Sequence, residues 1–305
     1  MIFIAGGTGF VGRNLLDALQ GEGASVRCLV RDEKKAEWVR SLGFEAVQGD
    51  ITNADSLDGA LEGVEAAVHL AGIIEEKPGS TFESVHVQGT RNLVSESAAS
   101  GVKRIFYQSA LGADIHSPFA YLKTKAEAEK IVISSDIPYT IFRPSLIVGK
   151  GDGFTERMKQ LISAGPVVPV PGDGLARFQP VYIRDWLQCF RRAFINGGDR
   201  ERIYEFGGPE QLSYNEILKE IMDALEIKKS VIHIPMGVAR LSLPFMGAVR
   251  SFASALGREI PPVTDELLSL LGQDNICGED SITKNFGFTP VRFSEALREF
   301  LKGSS

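Results

Sequence analysis

The strongest constraint on this chain lies at its start. Gly6, Gly9 and Gly12 stand between an apolar run, Met1–Ala5, and a segment, Val11–Leu19, whose apolar residues recur at helical spacing. G-x-x-G-x-x-G between a strand and a helix does three things. One glycine permits a tight turn, the next lets backbone approach a pyrophosphate, and the third lets the helix pack on the sheet. The helix N-terminus then offers N–H groups and a partial positive charge to an anion.

The rest of the first half repeats the pattern. Strands are expected at 25–30, 44–47, 66–70, 104–108 and 139–142, and helices at 33–41, 55–61, 82–100 and 119–133. Continuous apolar strands alternating with helices specify a parallel sheet covered on both faces. Ligands in such sheets bind outside the carboxyl ends of the strands. After about residue 150 the texture changes to Pro- and Gly-rich loops, among which Gly151–Phe154 and Pro171–Gly174 read as flexible lid segments. A strand at 202–206 is placed to rejoin the sheet, and the remainder reads as mostly helical. The expected organisation is a dinucleotide-binding domain over 1–150, rejoined by 176–206, and a smaller substrate-covering domain over 151–175 and 207–305.

Composition narrows the partners. With 305 residues, 44% apolar and 24% charged residues and a net charge of −6, the chain is an ordinary globular protein without a basic face for nucleic acid. Cys28, Cys189 and Cys277 are far apart and lack metal-ligand spacing, so they are expected to be reduced packing residues, with no metal site, in a cytoplasmic protein. The strand beginning at Met1 leaves no expected room for a targeting peptide. The apolar stretch 236–257 is broken by Arg240, Pro244 and Arg250, which excludes a membrane span. It reads as helices packing the second domain or, in the sharper reading, as a surface for a hydrophobic substrate, a membrane face or a protein partner.

Tyr121 and Lys125 form Y-x-x-x-K at the head of a helix, one turn apart and on one face. A neighbouring ammonium stabilises a phenolate, so the pair is expected to exchange a proton near neutral pH. Ser109, at the end of the fifth strand, is placed to hydrogen-bond a substrate carbonyl. The catalytic candidates are therefore Ser109, Tyr121 and Lys125.

These features together resemble the short-chain dehydrogenase/reductases in their extended and atypical branches, over nearly the whole chain. Gly6, Gly9 and Gly12, with Thr8, Phe10 and Val11 between them, match the cofactor loop. Gly49-Asp50-Ile51 matches the segment whose Asp contacts adenine. His69-Leu70-Ala71-Gly72 matches the segment lying along the cofactor, and Arg143-Pro144-Ser145 the one near the nicotinamide. Gln179-Pro180-Val181 with Asp185 resembles a later family segment. Ser109–Ala113 and Phe142–Ser145 are similar to the subgroup related to the 39-kDa accessory subunit of respiratory complex I, some members of which bind NADP(H) without known turnover. His86-Val87-Gln88-Gly89-Thr90 resembles N-V-x-G-T, but with His86 in place of the Asn that supports a helix bend and a water near the lysine.

The resemblance implies a Rossmann-type doubly wound parallel sheet with a smaller, mostly helical C-terminal substrate domain. It further implies a cofactor held by Gly6, Thr8, Gly9, Phe10, Val11, Gly12, Arg31, Asp50, Ile51, Leu70, Ala71, Gly72, Lys125, Pro144 and Ser145. An acidic residue after the second strand would bind the ribose of NAD, and an Arg the 2′-phosphate of NADP. Arg31 comes first in Arg31-Asp32-Glu33-Lys34-Lys35, with Lys34 or Lys35 adding charge and Asp32 as counter-signal, paired to Arg31 or facing solvent. NADP(H) is preferred and NAD(H) the alternative. The activity implied is oxidoreduction, or epimerase or dehydratase chemistry, on a small-molecule substrate. The alternative is an NADPH-binding assembly or redox-sensing protein, associated with a membrane surface or a protein complex.

Overall fold

The computed structural model describes residues 1–197, 201–244 and 264–302. Its contacts divide the chain into a first unit, Met1–Pro144 with Trp186–Phe206, and a second, Ser145–Asp185 with the residues from Gly207 onward.

The first unit is built on seven parallel strands: β1 (Ile2–Ala5), β2 (Val26–Val30), β3 (Glu45–Gln48), β4 (Ala66–His69), β5 (Arg104–Gln108), β6 (Tyr139–Pro144) and β11 (Arg202–Phe206), ordered β11-β6-β5-β4-β1-β2-β3. Every neighbouring pair is parallel. This is the Rossmann-type architecture expected from the sequence. β1 pairs with β2 on one side and with β4 on the other, so the strand order reverses at its carboxyl end, where a ligand crevice forms. Helices α1 (Phe10–Gly21), α2 (Glu33–Ser41), α3 (Gly89–Ala99) and α4 (Ala120–Ile133) supply the crossovers.

The central strands carry buried apolar runs, Phe3–Ala5, Ala66–Val68 and Ile105–Tyr107, because both faces are covered there, whereas the edge strands β3 and β11 carry exposed residues. One face packs Phe3, Ala5, Ala67, Ile105, Tyr107 and Ile141 into a core with Leu57, Leu61 and Leu93. The other carries an aromatic block in which Phe106 and Phe142 meet Trp186 edge-on, and Trp186 stacks on Phe190 at 5.4 Å.

Two expected helices differ. The segment 55–61 forms only a 3-10 turn, Ala54–Leu57, because Gly59 and Gly63 adopt φ of +68° and +72°, which a helix cannot continue through. The helix expected over 82–100 is π-helical across Glu83–Gln88 before becoming α3. The π-turn is stabilised from outside, since the Thr90 hydroxyl donates to the His86 carbonyl.

The second unit contains β7 (Ile147–Val148), α5 (Gly153–Ala164), β8 (Val167–Pro171), β9 (Arg177–Phe178), β10 (Val181–Tyr182), β12 (Leu212–Ser213), α7 (Tyr214–Ala224), β13 (Ser230–Ile234) and helices Asp265–Leu271, Ser281–Phe286 and Phe293–Lys302. Helix α6 (Ile183–Phe190) joins the chain segments assigned to the two units. Alongside the expected helices, the second unit carries three two-stranded sheets: β7–β10, β9–β12 and β8–β13.

The two segments read as lids are hydrogen-bonded turns. Asp152 caps α5 by accepting from the Thr155 and Gly149 N–H groups, and Asn215 donates to the Asp173 carbonyl. Within the apolar stretch 236–257, residues 236–244 are helical, with Val238 and Leu241 exposed, and 245–257 lie outside the described residues. Among the described residues no helix is long and apolar enough to cross a membrane.

Candidate functional site

The glycine loop is shaped by contacts that only glycine permits. Gly6 has φ of +86°, and a Cβ there would lie 2.5 Å from the Ala71 nitrogen. A Cβ on Gly12 would lie 2.3 Å from the Gly6 carbonyl oxygen. The loop therefore packs directly on the Leu70–Ala71 backbone beyond β4, and α1 directly on the loop. Gly9, the N-cap of α1, contributes no side-chain cap, which leaves the helix N-terminus to an incoming acceptor. Arg13 donates from Nε to the Thr8 carbonyl at 3.0 Å and ties the loop to the helix.

A cleft of about 290 Å³ opens here, and Gly6, Thr8, Gly9, Arg31, Asp50, Ile51, Leu70, Ala71 and Gly72 line it, with Lys35, Thr52, Ile73 and Val85 among the other lining residues. Phe10, Val11 and Gly12 form the first turn of α1 behind it and do not line it.

Arg31 is exposed on the cleft wall. Asp32 is the N-cap of α2: its carboxylate accepts from the Lys35 N–H at 3.0 Å and pairs with Lys35 Nζ at 3.1 Å rather than with Arg31. These bonds hold the Asp32 carboxyl below its ordinary range. The acidic counter-signal in the sequence is thus a helix cap. Asp50 turns one oxygen onto the Thr52 N–H and hydroxyl.

The Tyr, Lys and Ser candidates stand apart from this lining. Ser109 follows β5, fixed by its N–H donating to the Phe142 carbonyl at 2.8 Å. It is buried, and its hydroxyl has no partner among the described residues. Lys125 is buried on α4. Its Nζ donates to the Gln108 carbonyl at 2.9 Å and lies 5.2 Å from the centre of the Tyr107 ring. A Cβ on Gly72 would lie 3.1 Å from that Nζ, so the ammonium sits close beside a glycine that lines the cleft.

Burial pushes the Lys125 ammonium down to about 8, with Glu129 one turn further along α4 opposing the shift. Glu129 is itself held by Arg143, whose Nε bond measures 2.8 Å. Tyr121 packs edge-on against Phe82 and His86. Its phenol is not lowered as the sequence suggested. Protein packed around it pushes it up to about 12, while the Lys125 ammonium is turned toward Gln108 and Tyr107.

His86 is fully buried in the π-turn. The Thr124 hydroxyl lies within 2.8 Å of the Ala120 carbonyl, to which it donates. With that proton spent, its oxygen accepts from His86 Nδ1 at 3.0 Å, and His86 Nε2 accepts from the Ile73 N–H at 3.1 Å. Burial, then the Lys125 charge, push His86 down to about 2. His69 donates to Thr90 at 2.9 Å, and burial pushes it down to about 3. Both are neutral struts rather than acids. Pro144 ends β6 and accepts from the Leu111 N–H. Ser145 belongs to the second unit, where its hydroxyl bonds Asn275 at 2.7 Å and accepts from the Gln179 N–H.

Sequence reasoning missed Gln108 and Trp186. Gln108 could have been singled out by its place before Ser109, but Trp186 is 78 residues away and gave no signal.

The cradle of the glycine loop, the N-terminus of α1 and the partnerless Ser109 hydroxyl fit a dinucleotide. Residues 6–165, just over half of the chain, match a family model described as NAD(P)H-binding. The Arabidopsis thaliana protein NADH dehydrogenase [ubiquinone] 1 alpha subcomplex subunit 9, mitochondrial, is 25% identical over 291 residues, covering 92% of this chain and 70% of its own. A ceramide reductase of Caulobacter vibrioides is 35% identical over 170 residues, 56% of this chain; the chain thus spans about half, 53%, of that enzyme. The structure of a Thermotoga maritima UDP-glucose 4-epimerase with UDP-glucose superposes with a TM-score of 0.74 at 16% identity, covering 99% of this chain and 97% of its own, which shows a shared fold.

Proposed function

Because the chain belongs to the NAD(P)H-binding family, we propose that it is an NADP(H)-dependent reductase of an apolar small molecule bearing a carbonyl group. Glycine-loop backbone and the α1 N-terminus hold the pyrophosphate, and Arg31 with Lys35 holds the 2′-phosphate. The bound cofactor supplies a hydride. Lys125 holds the ribose beside it, and the Ser109 hydroxyl takes the substrate oxygen as its partner. Tyr121 gives that oxygen its proton.

The observation that carries this reading is the buried Ser109 hydroxyl, which has no partner among the described residues and follows Gln108, on whose carbonyl the Lys125 ammonium rests. At neutral pH the Lys125 ammonium, pushed down to about 8, is still charged, and the Tyr121 phenol, pushed up to about 12, holds its proton. The similarity to a ceramide reductase supports an apolar substrate.

Turnover of NADPH with a panel of long-chain ketones and quinones tests the assignment. Tyr121→Phe is expected to keep NADPH affinity and to lower kcat by roughly 10²–10⁴-fold. Unchanged kcat in Tyr121→Phe overturns the mechanism. A second reading, an NADPH-binding assembly protein, is favoured by the similarity to the complex I subunit over 92% of this chain. It is supported if the NADPH-loaded protein oxidises with no member of the panel.

A further inference from the structure

Gln108 is the last residue of β5 and immediately precedes Ser109. Every polar group of its side chain is engaged within the first unit. Its Nε2 donates to the Ser109 carbonyl at 3.0 Å, and its Oε1 accepts from Trp186 Nε1 at 2.9 Å. Its backbone carbonyl is the acceptor on which Lys125 Nζ rests, at 2.9 Å.

Trp186 has no exposed surface, stacks on Phe190 with an interplanar angle of 12°, and meets Phe106 and Phe142 edge-on. The indole N–H therefore issues from a packed aromatic block, and an apolar residue at 108 would leave it buried without an acceptor. Two residues of the candidate site thus depend on one amide: Ser109 through its carbonyl, and Lys125 through the peptide to which that amide is attached.

We propose that Gln108 is a positioning residue that, pinned by the Trp186 indole, fixes both the resting place of the Lys125 ammonium and the backbone that presents the Ser109 hydroxyl. The proposal rests on the reading of Ser109 and Lys125 given above, but its geometry stands without turnover. The Lys125 ammonium pulls on the backbone carbonyl of the residue whose side chain receives the indole, so a change in its charge shifts Gln108 and with it the bond from Trp186 Nε1.

The groups around Lys125 leave its titration legible. Tyr121 on its own helix is pushed up to about 12, and Tyr107 from β5 well above its ordinary value. His86 from the π-turn and His69 from β4 stay neutral, pushed down to about 2 and about 3. Glu129 on its own helix is paired with Arg143 from β6. Neither the two tyrosines nor the two histidines change charge between pH 7 and 9.5, whereas Lys125 does, at about 8.

The chain has two tryptophans, so Trp38→Phe leaves the Trp186 indole as the single indole signal in a ¹⁵N–¹H spectrum. In that protein, without cofactor, the Trp186 signal is expected to move between pH 7 and 9.5 with a midpoint near 8. Lys125→Met should abolish the movement. Gln108→Met should abolish it as well and speed exchange of the indole proton with solvent. Gln108→Glu keeps the acceptor for the indole and adds a negative charge near the ammonium, so it should keep the movement and raise its midpoint. A signal that is flat across this range, or one that titrates identically in Gln108→Met, overturns the proposal. Since no arm requires turnover, an inactive protein would count against the reductase reading and leave this result to be judged separately.

Discussion

Two buried neutral histidines make the first unit acid-labile, and the size of the effect follows from their surroundings. His69 and His86 are pushed down to about 3 and about 2 in the fold, against 6.5 for an ordinary imidazole. For a base with a depressed folded pKa, the unfolded chain takes up the proton first, so stability is full above pH 6.5 and is lost as pH falls below it. At pH 5.5 each unfolded imidazole favours unfolding by RT ln 11, about 1.4 kcal/mol, against about 0.1 kcal/mol at pH 7.5. The pair should therefore cost the first unit about 2.7 kcal/mol over two pH units, a large share of a typical domain's 5–15 kcal/mol.

Both tryptophans, Trp38 and Trp186, lie in that unit, so urea unfolding followed by their fluorescence at pH 7.5 and 5.5 reads the loss directly. In His86→Asn, whatever the substitution costs at neutral pH, the difference between the two pH values should shrink by about 1.4 kcal/mol. An unchanged difference, or an NMR titration of the folded His86 ring above pH 5, would refute the assignment of these residues as neutral struts.

Arg31→Ala should weaken NADPH binding by about 10–100-fold, the value of a lost charge-assisted contact, and change NADH binding little. Calorimetry with both cofactors decides it, and equal losses would remove Arg31 from the 2′-phosphate. Asp185 is buried and accepts from the Val291 N–H, and burial pushes its carboxyl up to about 6. An acid with a raised folded pKa supports the fold at low pH and loses that support as pH rises through 6. Asp185→Asn, which keeps an acceptor for Val291, should therefore gain stability relative to the parent between pH 5 and 8, by roughly 1–3 kcal/mol. Thermal unfolding at the two pH values showing no such gain would refute the sign.

The sheet was readable because central parallel strands buried on both faces carry continuous apolar runs, as in Ile2–Ala5 and Ile105–Tyr107, and because Gly6, Gly9 and Gly12 sit where a strand becomes a helix. The π-turn was not readable. It arises from a local surplus of one residue, sustained by Thr90 and by the His86 ring bonding to Thr124 and Ile73, and those contacts exist only after packing. Strands of two residues, such as Ile147–Val148 and Leu212–Ser213, are too short to show any period. The upward shift of Tyr121 was not readable, because spacing shows which residues share a helix face but not where an ammonium points. Lys125 points to the Gln108 carbonyl.

The capping of α2 by Asp32 bears on how this chain can change over evolutionary time. Asp32 and Lys35 secure the start of the helix between themselves, so the cap does not draw on a hydrogen bond from Arg31. The charge on the cleft wall can change through a single codon at position 31 without endangering the scaffold, whereas Asp32→Ala would strip the helix of its cap, at a cost of about 1 kcal/mol. Cleft charge and foldability are separately heritable here, and the boundary between them falls between two adjacent residues.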